Sequence, residues 1–347
     1  METQRDIRLL NFQELEQQLL EAGEQKFRAK QIWQWIWQKG ARSFEEMTNL
    51  SVELRQFLSL HFEIKPIKSE KIQLSTDGTI KTRFQLHDGH FIESVLIPVP
   101  NDERFTVCVS CQVGCSLTCK FCATGKMKRI RNLDPGEIVD QVVEVNKQCL
   151  EHFNHPLTNI VYMGMGEPLL TYQNVMKSIE RITSPDGLGM SPKRITVSTA
   201  GIAKMIHKLA EDQVKFNLAL SLHAANDVKR NEIMPINEQN SLQVLMDSLD
   251  AFYQQTGNRI TFEYIALNGF NDTMEDAAQL LKLCRRFPVK LNIIEYNPIE
   301  GEVFSKSDDP VINRFAAFLA EKGVAVTLRR SRGKDIDAAC GQLANKA

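Results

Sequence analysis

The sequence of 347 residues contains no hydrophobic run of the roughly 18–20 residues that a membrane-spanning helix needs. It also has almost no net charge, because 42 Lys and Arg residues balance 43 Asp and Glu residues. A nucleic-acid partner would therefore have to bind a local basic patch, since the overall electrostatic field is weak. Residues 1–6 have no apolar segment behind them and do not resemble a signal peptide. These absences predict a cytoplasmic protein without a membrane partner.

The sequence also lacks internal repeats and low-complexity tracts. Hydrophobic residues at 43% and charged residues at 24% are typical of globular proteins, so a fibrous or disordered chain is excluded. A chain of this length forms two domains, or one barrel with an appendage.

Residues 1–68 have a helical pattern. Apolar residues such as Ile32 and Ile36 recur at helical spacing, and Ser43 and Ser51 each precede acidic residues, as helix-capping serines do. We predict a small helical domain over this range.

The pattern changes to strands in the remainder of the chain. In residues 69–103, two strand-like segments flank a turn with Asp88-Gly89 at its centre, which predicts a β-hairpin extension. In residues 104–347, strand-like and helix-like segments alternate over six or seven units. We therefore predict the α/β class: a partial βα (TIM-like) barrel with a helical N-terminal domain and a hairpin linker. In such a barrel, functional residues lie at the carboxyl ends of the strands.

The cysteines are unevenly distributed. Eight are present, and five of them lie between Cys108 and Cys122. A disulfide framework would be spread more evenly and is typical of small secreted chains. Clustered cysteines in a cytosolic chain indicate metal or redox chemistry instead.

Cys115, Cys119 and Cys122 follow the first predicted barrel strand with the spacing Cys-x3-Cys-x2-Cys. Three thiolates of one loop can hold three corners of an iron–sulfur cube and leave the fourth iron open to a chelating ligand. Electron-transfer clusters ordinarily use four cysteines, and structural zinc sites use four ligands. The motif favours a cluster that acts on a bound ligand. The alternative is a zinc loop that recruits a neighbour such as Cys111.

The cysteine motif, with an aromatic residue before its last cysteine, resembles the signature of radical S-adenosylmethionine (SAM) enzymes. Four further stretches extend the resemblance: residues 108–115, 163–168, 221–223 and 338–343. Together they resemble the RlmN/Cfr family of RNA methyltransferases over essentially the whole chain. Within that family, Pro168 and residues 331–333 favour methylation of carbon 2 of adenine over the alternative, methylation of carbon 8.

The resemblance implies one [4Fe–4S] cluster held by Cys115, Cys119 and Cys122, with SAM as the ligand of its open corner. Adenine carbon 2 is electron-poor and cannot attack the methyl group of SAM as a nucleophile, so a radical route is chemically reasonable. By resemblance, Cys340 accepts a methyl group from one SAM as a thiolate. A second SAM then supplies the radical that activates this methyl group, so two SAM are consumed per methylation.

The resemblance assigns two further catalytic residues. Cys108 would resolve the protein–RNA adduct by attacking Cys340, which leaves a transient disulfide between them. Without the resemblance, Cys108 and Cys340 would both be interpreted as buried cysteines of the core. Glu93 would be the proton acceptor, although its position in a strand-like segment by itself predicts a solvent-facing side chain.

SAM contacts are implied at the ends of several predicted strands. They are Gly166, Glu167, Ser198, Ser221, Leu222, His223 and Asn297. Without the resemblance, His223 would more simply be a structural histidine.

The implied partners are 23S rRNA and tRNA, and an electron donor such as flavodoxin or ferredoxin, for a monomeric enzyme. Residues 1–68 would then be an accessory RNA-binding domain. Two basic runs, at residues 126–131 and 329–334, flank the expected chemistry and favour phosphate contacts. The target adenine would have to leave its stack to enter a barrel mouth. An alternative from another class is a non-catalytic, zinc-dependent RNA-binding protein.

Overall fold

The structure, a computed structural model, describes residues 4–346. Residues 1–3 of the predicted helical domain, and residue 347 of the predicted barrel region, lie outside the described part. The N-terminal unit consists of β1 (Arg5–Asp6), α1 (Phe12–Glu21), α2 (Phe27–Trp37), α3 (Val52–His61) and β2 (Phe62–Glu63). Its two short strands pair in parallel and bring the start and end of the unit together.

Side-chain caps begin two of these helices. The Asn11 side chain accepts a hydrogen bond from the Glu14 amide at the start of α1, and the Glu14 carboxylate accepts one from the Asn11 amide. At the start of α3, the Ser51 hydroxyl accepts a hydrogen bond from the Leu54 amide, as predicted.

Three antiparallel strands form the extension that follows: β3 (Lys68–Leu74), β4 (Ile80–Gln85) and β5 (Phe91–Val99). β5 also pairs in antiparallel orientation with β6 (Arg104–Cys108), the first barrel strand. The extension is therefore continuous with the barrel sheet.

The remaining strands are β7 (Gln112–Val113), β8 (Arg131–Asn132), β9 (Asn159–Tyr162), β10 (Ile195–Thr199), β11 (Asn217–Ser221), β12 (Ile260–Ala266), β13 (Val289–Glu295) and β14 (Ala325–Arg329). The remaining helices are α4 (Pro135–Phe153), α5 (Tyr172–Thr183), α6 (Ala203–Glu211), α7 (Asp227–Ile233), α8 (Leu242–Thr256), α9 (Met274–Cys284) and α10 (Asp309–Glu321). Between residues 4 and 346, no helix combines the length and the apolar character needed to cross a membrane.

The central sheet has ten strands in the order β14-β13-β12-β11-β10-β9-β6-β5-β4-β3. The seven strands from β6 to β14 in this order are parallel, with a crossover between each pair. All residues of β12 are buried, as expected for a strand covered on both faces. Within the described residues β14 does not pair with β3, so the barrel is open, which confirms the predicted partial βα barrel with its α/β class.

The N-terminal unit is attached to the outer helices of the barrel. The Arg8 guanidinium bonds Asp6 within the unit and Asp140 of α4, each at 2.8 Å. The Arg181 guanidinium of α5 lies 4.2 Å from the centre of the Trp33 ring of α2. Charged and aromatic groups therefore join the two parts of the chain.

Three local features differ from the sequence predictions. β3 adds a third strand to the predicted two-stranded hairpin. The predicted helix start at Ser43 is wrong, since residues 42–46 form bends and a turn that buries Phe44. The helix α7 was not predicted; Asn226 caps it by accepting a hydrogen bond from the Lys229 amide.

Candidate active site

One cavity lies at the carboxyl ends of the parallel strands, where a βα barrel places its site. It is lined by nine of the thirteen residues singled out from the sequence: Cys115, Cys119, Cys122, Gly166, Glu167, Ser198, Ser221, His223 and Cys340. The other four, Glu93, Cys108, Leu222 and Asn297, do not line it. The cavity brings together Cys115 and Cys340, which are separated by more than 200 positions in the sequence.

The three cysteines of the spaced motif lie on the loop after β7. The loop turns sharply, with the Cys122 amide bonded to the Cys119 carbonyl at 3.2 Å. Gly125 is required at its end, because a Cβ there would lie 2.9 Å from the Cys119 carbonyl oxygen. Burial raises the pKa of Cys115 to about 11 and raises the pKa values of Cys119 and Cys122. Thiolates in this loop therefore need a positively charged partner, as iron ions provide.

The cysteine loop fits a cluster better than a zinc ion. Cys111, the candidate fourth zinc ligand, is 2% exposed and does not line the cavity. Within residues 4–346, no three His, Cys, Asp or Glu side chains surround one point as a single metal ion requires. A cubane cluster instead binds each cysteine through a different iron, so three separate thiols facing one cavity suit it.

The Gly166-Glu167 pair lies at the carboxyl end of β9. Gly166 has a φ of +100°, and a Cβ there would lie 2.6 Å from the Gln112 side chain, so glycine is required. The buried Glu167 carboxylate accepts hydrogen bonds from the Ala200 and Leu169 amides. Burial raises the pKa of Glu167, while these amides oppose the shift. Backbone and carboxylate oxygens are thus presented beside the cysteine loop.

Ser198 is buried near the end of β10, and its hydroxyl lies 3.4 Å from that of Ser221 at the end of β11. The predicted contact Leu222 is fully buried, and its amide bonds the Glu263 carbonyl, so its side chain belongs to the core. His223 lines the cavity with its Nδ1 accepting a hydrogen bond from the Ile265 amide. Burial lowers the pKa of His223 to about 3, so the ring is neutral and its other nitrogen carries the proton.

Cys340 is exposed in the mouth of the cavity. The buried Asn297, at the end of β13, donates to the Cys340 carbonyl at 3.3 Å, so it contacts the tail and not the cavity. The next residue, Gly341, accepts a hydrogen bond from the Ala123 amide of the cysteine loop at 2.7 Å. Although Cys340 is exposed as a residue, desolvation by the protein around its sulfur raises the pKa of the thiol, and the Arg329 guanidinium opposes this shift. A backbone hydrogen bond therefore joins the C-terminal segment around Cys340 to the cysteine loop.

Cys108 lies at the end of β6, buried at 8% exposure. Burial raises the pKa of its thiol to about 12; the charge of Cys340 adds to the shift and that of Arg329 opposes it. Cys108 and Cys340 are therefore close enough to influence each other electrostatically, although all eight cysteines are free thiols. No disulfide joins Cys108 and Cys340 in the described residues, so the structure does not support the expected bond.

Glu93 lies in β5 and is 1% exposed, so the solvent-facing position suggested by its strand is wrong. Its carboxylate accepts hydrogen bonds from the amides of Ala344 and Asn345, at 2.9 and 3.1 Å. Lys81 of β4 is its ion-pair partner at 3.5 Å. Glu93 thus binds the C-terminal tail next to the cavity and does not face into it.

Sequence reasoning missed Glu263 of β12, which lines the cavity. Its carboxylate accepts hydrogen bonds from Asn292 at 2.7 Å and from Thr261 at 3.2 Å, and it pairs with Arg329 at 3.5 Å. A single charged residue within an otherwise uncharged strand segment was the available signal. This group places a carboxylate and a guanidinium next to Cys340.

The basic side chains of the two runs differ in whether they form ion pairs with carboxylates. Most of their side chains form ion pairs: Lys126 with Glu302, Arg131 with Glu137 and Asp88, Arg329 with Glu263, and Arg330 and Lys334 with Glu295. Within the described residues, Lys128 and Arg129 are exposed and have no carboxylate partner. Arg332 also has no carboxylate partner, and its guanidinium lies 3.5 Å from the Asp77 carbonyl oxygen. Within the described residues, the positive charge of the two runs that is not ion-paired is therefore on Lys128, Arg129 and Arg332.

Comparisons with known proteins match both parts of the chain. The model of the ribosomal RNA large subunit methyltransferase N-terminal domain matches residues 6–64, and that of the radical SAM superfamily matches residues 109–281. A crystal structure of a radical SAM methyltransferase from Sphaerobacter thermophilus is 39% identical, with a TM-score of 0.92 over 99% of this chain and 100% of that one. The fold and the site thus define a radical SAM methyltransferase, a class that uses SAM and a [4Fe–4S] cluster.

Relatives of similar sequence identify the family within this class of radical SAM methyltransferases. The probable dual-specificity RNA methyltransferase RlmN of Cytophaga hutchinsonii is 57% identical over 98% of this chain and 93% of the relative. The dual-specificity RNA methyltransferase RlmN of Geobacter sulfurreducens is 44% identical over 100% of this chain and 94% of the relative. The chain belongs to the RlmN family of RNA methyltransferases.

Proposed function

We propose that this protein methylates carbon 2 of adenine in 23S rRNA and in tRNA, with Cys340 as the carrier of the methyl group and two SAM consumed per methylation. The observation that supports it most directly is that Cys340 and the three cysteines of the spaced motif line one cavity. This chemistry requires the methyl carrier and the radical source to lie close together, and these residues line the same cavity.

Cys115, Cys119 and Cys122 would hold the cluster. A reduced cluster bound there would supply the one electron needed to cleave SAM into methionine and an adenosyl radical. Gly166 and Glu167 offer backbone and carboxylate oxygens for the ammonium group of SAM. The neutral His223 ring offers an N–H donor in the same cavity.

Cys340 attacks the methyl group of a first SAM as a thiolate, which forms S-methylcysteine and S-adenosylhomocysteine. Its exposure in the cavity mouth allows SAM and, in turn, RNA to reach the sulfur. A hydrogen atom of the S-methyl group is then removed by the radical from a second SAM, and the carbon-centred radical adds to adenine carbon 2. The product of this step is a radical adduct that links Cys340 covalently to the RNA. One electron would have to leave this adduct, to the oxidised cluster or to the electron-transfer protein, before the RNA is released.

Cys108 releases the RNA by attacking the Cys340 sulfur, which forms a disulfide and breaks the bond from sulfur to the transferred carbon. The bonding electrons stay with that carbon, which takes up a proton to become the methyl group, and a thiol reductant then returns both cysteines to thiols. The Cys108 thiol has a pKa of about 12, so the proton has to leave as the attack occurs. Glu93 is the proposed acceptor of the carbon 2 proton. Because its carboxylate is bonded to the tail, the tail has to shift for Glu93 to reach the base.

RNA would approach the cavity mouth beside Lys128 and Arg129, whose charges are free to bind phosphates. The N-terminal unit would add an accessory RNA contact. We further propose that a small electron-transfer protein, such as flavodoxin or ferredoxin, reduces the cluster of a monomeric, cytoplasmic enzyme.

An anaerobic assay with RNA fragments, SAM and a reductant tests the proposal. Mass spectrometry of the digested RNA should locate the new methyl group on carbon 2 of adenine, and Cys340→Ala should abolish methylation. A product methylated only at carbon 8 would contradict the proposed specificity. A colourless protein with bound zinc and no SAM turnover would contradict the enzyme and favour an RNA-binding module.

A further inference from the structure

The segment that follows β14, residues 330–346, carries Cys340 near its middle. We call it the carrier segment. The extension strands β3–β5 contact this segment both before and after Cys340, although the two are separated by about 250 positions in the sequence. The site chemistry described above assigns no role to the first of these contacts.

The contact before Cys340 is a reciprocal exchange with the turn between β3 and β4. The Ser75 hydroxyl and the Thr76 amide both donate to the Asp335 carboxylate, at 2.5 and 3.1 Å. In the opposite direction, the Gly333 amide donates to the Asp77 carboxylate at 2.9 Å. Each side of the contact thus contributes one aspartate that accepts backbone amides of the other side. We call these five residues the clasp.

Glycine at position 333 allows the clasp to close. Gly333 has a φ of +64°, and a Cβ there would lie 2.7 Å from the Ala338 Cβ and 2.9 Å from the Thr79 Cγ2. The Ala338 amide bonds the Gly333 carbonyl at 2.9 Å, which folds the carrier segment into a tight turn two residues before Cys340. The turn that leads into Cys340 is therefore packed directly on the extension.

The contact after Cys340 completes the attachment. Glu93 accepts the amides of Ala344 and Asn345, and the Asn345 side chain donates to the Phe91 carbonyl at 2.7 Å. Cys340 thus lies on a short loop whose two ends are both bonded to one rigid antiparallel sheet. Only the eight residues 336–343 lie between these two attachments.

We propose that the clasp positions Cys340 for methyl transfer, so that Ser75, Asp77 and Asp335 are positioning residues of the reaction. This inference rests on the proposed role of Cys340 as the methyl carrier. A group held in the correct geometry reacts much faster than one that has to find it, and small displacements of the sulfur reduce the rate. The clasp acts on the carrier segment alone, since none of its residues lines the cavity.

The test uses the full-length protein with its cluster reconstituted. Asp335→Ala removes the acceptor of two hydrogen bonds, whereas Asp335→Asn keeps one oxygen that can accept. Asp247→Ala is the matched control, because Asp247 is also an exposed carboxylate that accepts side-chain hydrogen bonds, from Gln243 and Arg286, and it does not line the cavity. For each variant we would measure kcat, the KM values for SAM and RNA, and amide hydrogen exchange in a peptide spanning residues 330–346.

We expect Asp335→Ala to lower kcat by about tenfold, the usual effect of losing hydrogen bonds to a charged group, with both KM values unchanged. Amide exchange in the carrier segment should rise, Asp335→Asn should restore part of both losses, and Asp247→Ala should match the wild type. Unchanged kcat in Asp335→Ala, with or without faster exchange, would overturn the positioning role. A higher KM for RNA at unchanged kcat would also overturn it, since that is the result of a lost RNA contact.

Failure of the proposed function is distinguishable from failure of the clasp. If the wild type forms no methylated Cys340 with SAM, the proposed function fails. The exchange measurement needs no turnover, so equal exchange in wild type and Asp335→Ala would overturn the clasp by itself.

Discussion

Replacing Glu93 by Gln separates its two roles, as an anchor of the tail and as a proton acceptor. Gln keeps the volume and one oxygen acceptor, but it removes the charge that pairs with Lys81 in a place where both side chains are at most 5% exposed. Breaking a buried ion pair from one side costs about 3–5 kcal/mol. Lys81 keeps a hydrogen bond to the Asp337 carbonyl at 3.3 Å. We therefore expect Glu93→Gln to lower the free energy of unfolding by about 2–4 kcal/mol.

The assay is urea denaturation of the wild type, Glu93→Gln, Lys81→Met and the double variant. The double variant should recover most of the lost stability, because no uncompensated charge remains buried in it. A loss below about 1 kcal/mol in Glu93→Gln, or a double variant no more stable than Glu93→Gln, would refute the reasoning about this ion pair.

Methylation by the same variants tests the second role. If Glu93 accepts the carbon 2 proton, the double variant recovers stability but not turnover, because its amide cannot accept a proton. Turnover that returns together with stability would show that Glu93 only anchors the tail.

Three other substitutions have defined outcomes. Glu295→Gln should lower the free energy of unfolding by about 1–3 kcal/mol at neutral pH, because the carboxylate accepts four charged or amide donors. Desolvation acts to raise the pKa of Glu295, but these donors outweigh it and hold the pKa well below its usual range. The carboxylate therefore stabilises the fold above the ordinary pKa of Glu, and this stabilisation is lost as the pH falls. If the free energies of unfolding of wild type and Glu295→Gln, measured in urea, differed as much at acid pH as at neutral pH, this explanation would be contradicted. Gly166→Ala should weaken SAM binding at least about tenfold in an equilibrium binding assay, because a Cβ clashes beside the site; Gly23→Ala, with φ of +80° and open space around it, is the control and should bind SAM normally. Cys111→Ala should retain its iron and visible absorption on anaerobic reconstitution, whereas Cys119→Ala should lose them; loss of iron in both would assign Cys111 a ligand role.

Much of the fold is readable from local patterns. Parallel strands covered on both faces appear in the sequence as near-continuous apolar runs, and β12 and β13 lie where such runs occur. β3 was missed because it is an edge strand that begins with exposed, charged positions such as Lys68 and Glu70, which hide any apolar pattern. At Ser43, burial of Phe44 in a turn overrides a local helix signal.

The candidate site was predictable where its residues are close in sequence or end a strand. The spacing of the cysteine loop is itself the signal, and Gly166 and Ser198 lie at strand ends, where a barrel gathers them. No local sequence pattern could predict that Glu93 contacts Ala344, because this contact depends on how the extension packs against the carrier segment. Glu263 was missed for a similar reason, because an acid in a buried strand reveals its neighbours only in three dimensions.

The chemical link between Cys340 and RNA is the central claim, and Cys108→Ala tests it most directly. The variant should complete methyl loading and radical addition but fail to release the product. After anaerobic turnover with RNA, SAM and a reductant, denaturing electrophoresis and mass spectrometry should find RNA joined to the peptide that contains Cys340, and no such adduct in the double variant Cys108→Ala/Cys340→Ala. Free methylated RNA at the wild-type rate from Cys108→Ala, with no adduct, would contradict the account.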